Sequence, residues 1–567
     1  MRRSMGIGWA ARARIRTRTR ARTRAQLGAG AALACALIAA CSSATAATSG
    51  SGATSGTGVV SSTGVVSSTG ARTTQAAQGR DLIVPTAGGL LQGKTAGAAD
   101  EFLGIPYAAP PVGALRWRPP QPAASWPGIR QATSYAPHCA QPSSPFGVAS
   151  TSEDCLYLNV FTPPGAQGRN LPVMFWIHGG ALVVGESDDY NPATLVRHGV
   201  IVVTINYRLG LFGFLADAAL ASQPGGPSGN YGLMDQQAAL RWVQRNIRGF
   251  GGNPRDVTVF GESAGGLSTL SQLVSPGARG LFARAIVESG TYELNQASLA
   301  TAESEGAAFA AKAGCAGNTA ACLRSVPVST ILDNESAAGY TPDVDGAVLT
   351  QSIGPALASG RFSHVPVMIG TNHDEWRLFV GLDQLLGDTV TAANYQTQIN
   401  DTLGGAVPAA TVAAIAAQYP LSDYSSPSVA LGAVGTDAIF ACPALTAEKS
   451  LSAYVPTYAY EFNDENAPEL YLPPLGFPYG AAHASEIQYL FTLSSTRYPS
   501  TLTAAQQGLA GAMQQDWTSL AKSGAPGPGW PRFGSASPAW LSLVPPRPQT
   551  ETDFAAEHHC AFWATVG

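Results

Sequence analysis

Five apolar runs punctuate the middle of the chain: residues 171–178 (LPVMFWIH), 200–207 (VIVVTINY), 257–260 (VTVF), 284–288 (RAIVE) and 365–370 (VPVMIG). They show little hydrophobic–polar alternation and are rich in β-branched side chains. A strand of that kind has both faces buried, as in a parallel sheet covered by helices on each side. Residues 234–250 (MDQQAALRWVQRNIRGF) put Leu240, Val243 and Ile247 at helical spacing, so the pattern predicts an amphipathic helix. Strands alternating with helical segments predict an α/β fold with a central, mostly parallel sheet flanked by helices. Residues 152–159 begin acidic and then alternate like a further strand, while 104–120 (GIPYAAPPVGALRWRPP) reads as an irregular Pro-rich stretch.

The N-terminal end has a different pattern. Arginines crowd it (Arg12, Arg14, Arg16, Arg18, Arg20, Arg22, Arg24), and residues 27–40 (LGAGAALACALIAA) follow. That apolar run is too short to span a bilayer and suits the core of a signal peptide, which argues against reading the arginines as a nucleic-acid arm. Residues 1–40 are therefore expected to be a signal peptide. Residues 38–41 (IAAC) resemble a lipobox, with Cys41 lipidated; Ala44–Thr45–Ala46 is the alternative, an ordinary cleavage site. Both place the protein outside the cytoplasm, lipid-anchored to a bacterial membrane or secreted, and the lipobox is the preferred reading. Residues 41–80 are Ser/Thr/Gly/Ala-rich with a tandem GVVSST and read as a flexible linker, leaving 81–567 as the folded domain.

Composition changes this picture in two ways. The net charge of −4 hides an acidic remainder behind the N-terminal arginines, and no nucleic-acid partner is expected. Outside the leader six cysteines remain: Cys139, Cys155, Cys315, Cys322, Cys442 and Cys560. An even number in an exported chain suggests three disulfides, with fifteen possible pairings.

The candidate chemistry sits directly after the VTVF strand, in Gly261–Glu262–Ser263–Ala264–Gly265. With 63 glycines in the chain a GxSxG alone carries little weight, but a serine between strand and helix suits a strained nucleophile elbow. Its hydroxyl needs a base, and the base needs a carboxylate to fix its tautomer. In elbow enzymes the order is serine, acid, histidine. Of the histidines after Ser263, His483 lies on a loop entering a helical segment and is the best base. His364 and His373 read as surface residues. His558 and His559 beside Cys560 lack a second ligand cluster with metal spacing, so no metal is expected. Asp374 or Glu375, just past the 365–370 strand, serves as the acid by position alone. Ala264 and the glycine-rich turn at Gly180 and Ala181 are candidate oxyanion donors.

The stretches GIPYAAPPVGALRWRPP, SEDCLYLNV, WIHGGALVVG, INYRLGLFGF, GLMDQQAALRWVQRNIRGFGGNPRDVTVFGESAGG, GTNHDEW and AAHASEIQYLF, in this order, resemble the type-B carboxylesterase family. The resemblance implies an α/β-hydrolase fold with large loop and helix insertions forming a gorge. It further implies Ser263, Glu375 and His483 as a triad and Gly180, Ala181 and Ala264 as the oxyanion hole. Also implied are disulfides Cys139–Cys155, Cys315–Cys322 and Cys442–Cys560, ion pairs Arg116–Glu153 and Arg208–Asp235, and a small-molecule ester substrate with no cofactor. A lipase or polyester hydrolase, or a non-catalytic binding module, are the rival functions on this fold. Two departures stand out. Trp376 follows the acid where the family usually has Gly, and with Leu182 it is a candidate pocket wall. The short 139–155 loop lacks a tryptophan to hold a quaternary ammonium, so choline esters are not expected as preferred substrates.

Overall fold

A computed structural model describes residues 82–221, 226–317, 319–335 and 340–566; the expected signal peptide, Cys41 and the linker lie outside them. Among the described residues eleven strands form one sheet: β1 (Lys94–Ala96), β2 (Ala99–Pro106), β3 (Tyr157–Thr162), β4 (Leu171–Ile177), β5 (Ile201–Ile205), β6 (Gly252–Glu262), β7 (Arg284–Glu288), β8 (Val367–Asn372), β9 (Thr457–Phe462), β10 (Trp540–Leu543) and β11 (Gln549–Glu551). Their spatial order is β11-β10-β9-β8-β7-β6-β4-β5-β3-β2-β1. From β10 to β5 all neighbours are parallel. Both edges are antiparallel. The five apolar runs become β4 to β8, the parallel middle.

Period-two packing explains why the cores of those strands are predominantly apolar. Val173, Phe175 and Ile177 of β4 face the same core as Val257 and Val259 of β6. Leu240 and Val243 of helix α1 (Tyr231–Asn246) and Leu267 and Leu270 of α2 (Ala264–Val274) close that side. Met174, Trp176, Phe260, Ile286 and Met368, the intervening residues, face the opposite core. Further along the chain come α3 (Trp376–Leu385), α4 (Pro427–Gly435), α5 (Cys442–Ser452), α6 (Ala504–Ser523) and α7 (Cys560–Val566). Leu509, Met513, Trp517 and Leu520 of α6 fill the second core. With a side chain buried on each face, polar positions are few along these strands, and the buried acidic ones, Glu262 and Glu288, end β6 and β7.

Helix α1 starts three residues before the predicted segment and stops at Asn246. Ile247–Phe250 continues as a 3-10 turn, closed by Gly251 at φ 90°. The segment from α3 to α5 builds a separate apolar cluster around Trp376, Ile399, Ile415, Tyr419 and Phe440. A π-helical turn, Thr436–Ala441, joins α4 to α5.

Three disulfides link Cys139–Cys155, Cys315–Cys322 and Cys442–Cys560. Arg116 pairs with Glu153 through Nε and Nη2 and also donates to the Val326 carbonyl, tying the Pro-rich stretch down. Arg208 makes a bidentate pair with the fully buried Asp235 of α1. Such buried pairs fix geometry more than they add stability.

Candidate active site

Strand β6 ends at Glu262 and α2 begins at Ala264, so Ser263 alone makes the turn. It does so at φ 55° and ψ −119°, a conformation that costs of order 1–3 kcal/mol outside glycine. Its neighbours have to be small. A Cβ on Gly265 would lie 1.9 Å from the Ile177 carbonyl oxygen, and one on Gly261 would lie 2.5 Å from the same atom. The Ser263 N–H is held by the Glu288 carbonyl at 2.8 Å. The hydroxyl thereby sits at the N-terminus of α2, where the helix dipole favours negative charge.

His483 arrives on the loop before the short helix Ile487–Leu490. Its Nε2 is 2.8 Å from Ser263 Oγ and its Nδ1 is 2.5 Å from Glu375 Oε2. The His483 N–H also donates to the Glu375 carbonyl at 3.3 Å. Glu375 is fully buried, and its other carboxylate oxygen accepts from Thr371 Oγ1 at 2.7 Å and the Asn372 N–H at 2.8 Å. The acid is thus aimed by the end of β8.

Asp374, left open beside Glu375 by position alone, points elsewhere. It pairs with Arg377 at 2.7 Å and with His373 at 3.1 Å, and accepts the Ala481 N–H at 3.0 Å. Burial disfavours its charge, but His373 and Arg377 outweigh that and hold its carboxyl below the usual range. Asp374 binds the histidine loop as a strut, two residues before His483.

The turn Gly179–Gly180–Ala181 runs against Ser263. A Cβ on Gly179 would come 3.1 Å from the Ser263 Cβ and 2.7 Å from Glu262 Oε2. Gly180 at φ 95° and Ala181 at φ 56° are both left-handed, turning the chain sharply there. The N–H groups of Gly180, Ala181 and Ala264 donate to no other described residue. Behind the turn His178 is buried, with Nδ1 2.9 Å from the Gly179 carbonyl oxygen and its ring stacked on Tyr207. Burial pushes it down to about 4, so it stays neutral.

Three buried carboxylates went unassigned in the sequence. Glu262 Oε1 lies 3.2 Å from His483 Nε2, and burial pushes its carboxyl up to about 7. Glu486 accepts from Asn372 Nδ2 at 2.5 Å, and Glu288 accepts from Trp517 Nε1 at 3.1 Å. Burial opposes the charged form of His483, yet Glu262 and Glu375 prevail and raise it above the ordinary histidine value. Glu262 is visible in the GESAG string itself, and Glu486 stands three residues after His483; neither spacing announces a role.

Aromatic rings wall the imidazole. Phe379 and Phe440 each lie 5.1 Å from it, and Trp376 stacks on Phe379 at 4.5 Å. Trp376 opens α3, is 3% exposed and packs flat where a Cβ on Gly435 would stand, while Leu182 is fully buried in the core. The indole therefore backs the wall through Phe379.

Expectations for the other histidines need one correction. His373 is no free surface residue: it bridges Asp374 and Glu557, at 3.1 Å each. The reason is the C-terminal segment, which folds back beside the acid loop. His558 is buried between Asp437 at 2.6 Å and Glu461 at 2.5 Å, and His559 reaches Asp437 at 3.2 Å. His364 bonds the Gly360 carbonyl at the surface. Among the described residues no group of three His, Cys, Asp or Glu is arranged to hold a metal ion.

Comparison with known proteins gives a consistent result. Residues 80–563 match the carboxylesterase family. The chain is 36% identical to the acylcarnitine hydrolase of Mus musculus over 76% of its length and 81% of that protein. It is 36% identical to the para-nitrobenzyl esterase of Bacillus subtilis (strain 168), over 80% of this chain and 92% of the other. It is 34% identical to the cocaine esterase of Homo sapiens, over 82% and 86%. A solved structure of PNB esterase superposes with a TM-score of 0.72 at 33% identity, covering 84% of this chain and 99% of that one.

Proposed function

We propose, for a chain that belongs to the carboxylesterase family and is a carboxylic ester hydrolase of its type-B kind, that Ser263, His483 and Glu375 carry the reaction through an acyl-enzyme. The observation behind this reading is the unbroken relay from Ser263 Oγ to His483 Nε2 at 2.8 Å and from His483 Nδ1 to Glu375 at 2.5 Å. Neutral His483 takes the serine proton as Oγ attacks the ester carbonyl. Glu375 holds the tautomer and stabilises the imidazolium that forms. The oxyanion is met by the N–H groups of Gly180, Ala181 and Ala264, each such donor being worth about 3 kcal/mol in other hydrolases. His483 then protonates the leaving alcohol, and water repeats the cycle on the acyl-enzyme.

The substrate is a small carboxylic ester. Ser263→Ala is expected to lower kcat by on the order of 10⁵-fold or more. An organophosphate should label the parent protein once, at Ser263, as read by intact mass and peptide mapping. Full turnover by the variant, or labelling elsewhere, rejects the assignment, whereas a parent protein that neither labels nor hydrolyses esters is a non-catalytic module.

The same proposal places the protein outside the cytoplasm, anchored through a lipid on Cys41. It is supported by the apolar leader and by the three disulfides, which persist in oxidising compartments. Cells expressing the gene and fed radiolabelled palmitate should label the protein, and Cys41→Ala should abolish that label. Unlabelled protein in the medium would point to ordinary secretion instead.

A further inference from the structure

A cavity of about 340 Å³ opens beside helix α1, and it shares no residue with the centre around Ser263. Its size falls in the range of small-molecule sites, about 300–1,000 Å³. We propose that it is a second, non-catalytic binding site for an amphiphilic carboxylate, an apolar body bearing one anionic group. The proposal does not depend on the catalytic assignment.

The walls are apolar and already in place. Tyr107, Trp126 and Trp242 line the cavity together with Pro120 and Pro122. Trp126 is anchored twice, its Nε1 donating to the Leu90 carbonyl at 2.9 Å and its backbone N–H to the Gly88 carbonyl at 2.8 Å. Gly88 has no room for a Cβ, which would lie 2.6 Å from that indole. Tyr107 is buried and its hydroxyl donates to the Asn206 carbonyl at 2.7 Å. Asn246 accepts the Ala87 N–H at 2.8 Å and donates to the Trp242 carbonyl at 2.9 Å, joining the two sides. A ligand entering such a site pays little ordering entropy.

The charge is what selects an anion. Arg241 and Arg245 line the cavity one helical turn apart on the exposed side of α1, and no acidic residue lines it. Arg245 makes no ion pair or hydrogen bond among the described residues. Arg241 reaches only carbonyl-type oxygens, on Gly277 at 2.9 Å and Gln237 at 3.4 Å. The Arg130 guanidinium lies over the Trp126 ring at 5.5 Å, holding that wall in place. From Leu82 onward the chain carries 22 basic against 36 acidic side chains, yet between Asp235 and Asp256 stand Arg241, Arg245, Arg248 and Arg255 with no acid among them. The cavity wall, with Arg241 and Arg245, is positive against the sign of the whole. A guanidinium fork matches a carboxylate, and flat aromatic walls match an apolar body.

The test is titration of 2-naphthoate into the full chain carrying Ser263→Ala, followed by calorimetry and by tryptophan fluorescence. A saturable site is expected, weakened at least about tenfold by Arg241→Gln/Arg245→Gln and by Trp126→Ala, and weakened by added salt. Neutral 2-naphthylmethanol should bind at least about tenfold less tightly than the acid. In the Ser263 background the double arginine variant should hydrolyse p-nitrophenyl acetate like the parent, which verifies its fold. If Trp126→Ala does not fold, the arginine variant decides. Absence of saturable binding, or binding that ignores the arginines, overturns the proposal. So does binding only to phosphatidylglycerol vesicles without uptake of the soluble acid, which would make the patch a membrane contact.

Discussion

Two adjacent carboxylates, Asp374 and Glu375, show how much a single position decides. Both stand past the end of β8, yet only Glu375 faces His483, because the chain turns helical there and swings Asp374 toward Arg377 and His373. The residue environment also sets the working pH. Burial would depress the His483 imidazolium, and the carboxylates of Glu262 and Glu375 raise it instead. Activity needs the neutral ring, so kcat/KM should fall on the acid side with a midpoint above the ordinary histidine value of about 6.5. Glu262→Gln removes one of the charges favouring the imidazolium and should move that midpoint to lower pH. A pH–rate profile checks both, and a midpoint that stays put or rises in the variant contradicts the coupling.

At the scale of elements, the acid loop is bound to the C-terminus. Glu557, in the short helix Phe554–Glu557, meets His373, and His558 just beyond it is clamped by Asp437 of the π-helical turn and Glu461 of β9. His559 on Asp437, the His373 ring at 5.6 Å and Glu551 beside Glu461 complete the charged surroundings of His558. Burial opposes its charge, but Glu461 and Asp437 lift it to about 10. A folded-state value above the unfolded one means stabilisation that is complete below about pH 6.5 and is lost as pH rises through about 10. The thermal midpoint of the parent should therefore decline across that window. His558→Gln should cost about 3–5 kcal/mol at pH 7, since it leaves buried carboxylates without their cation, and should flatten the decline. Equal slopes in parent and variant would refute the linkage. None of this was visible along the chain: His558 and His559 stand out only as a pair beside a cysteine, and their partners lie about a hundred residues away.

For the whole molecule, the Cys442–Cys560 bridge is the long-range tie, closing 118 residues of chain against 7 for Cys315–Cys322. By the chain-entropy argument a loop near that length contributes about 4–5 kcal/mol, more than a short one. Cys442→Ser/Cys560→Ser should therefore lower stability in urea by about 2–5 kcal/mol, and by more than the matching Cys315 and Cys322 pair. Equal losses would mean that folded-state contacts, not chain constraint, dominate the effect.

The sequence by itself determined the parallel middle of the sheet, because a strand buried on both faces is predominantly apolar and lacks polar alternation, as the cores of β4 to β8 do. It also marked Ser263, since the close approach of β6, α2 and Ile177 demands glycine at 261 and 265. Only the tertiary structure decided what stands next to what: the order of the strands, the turn of Asp374 away from His483, and the buried Glu262, Glu486 and His558. Burial and turn requirements act on near neighbours in the chain and leave a local signature. Electrostatic partners are chosen across space, and a carboxylate bears no trace in sequence of the charge it will face.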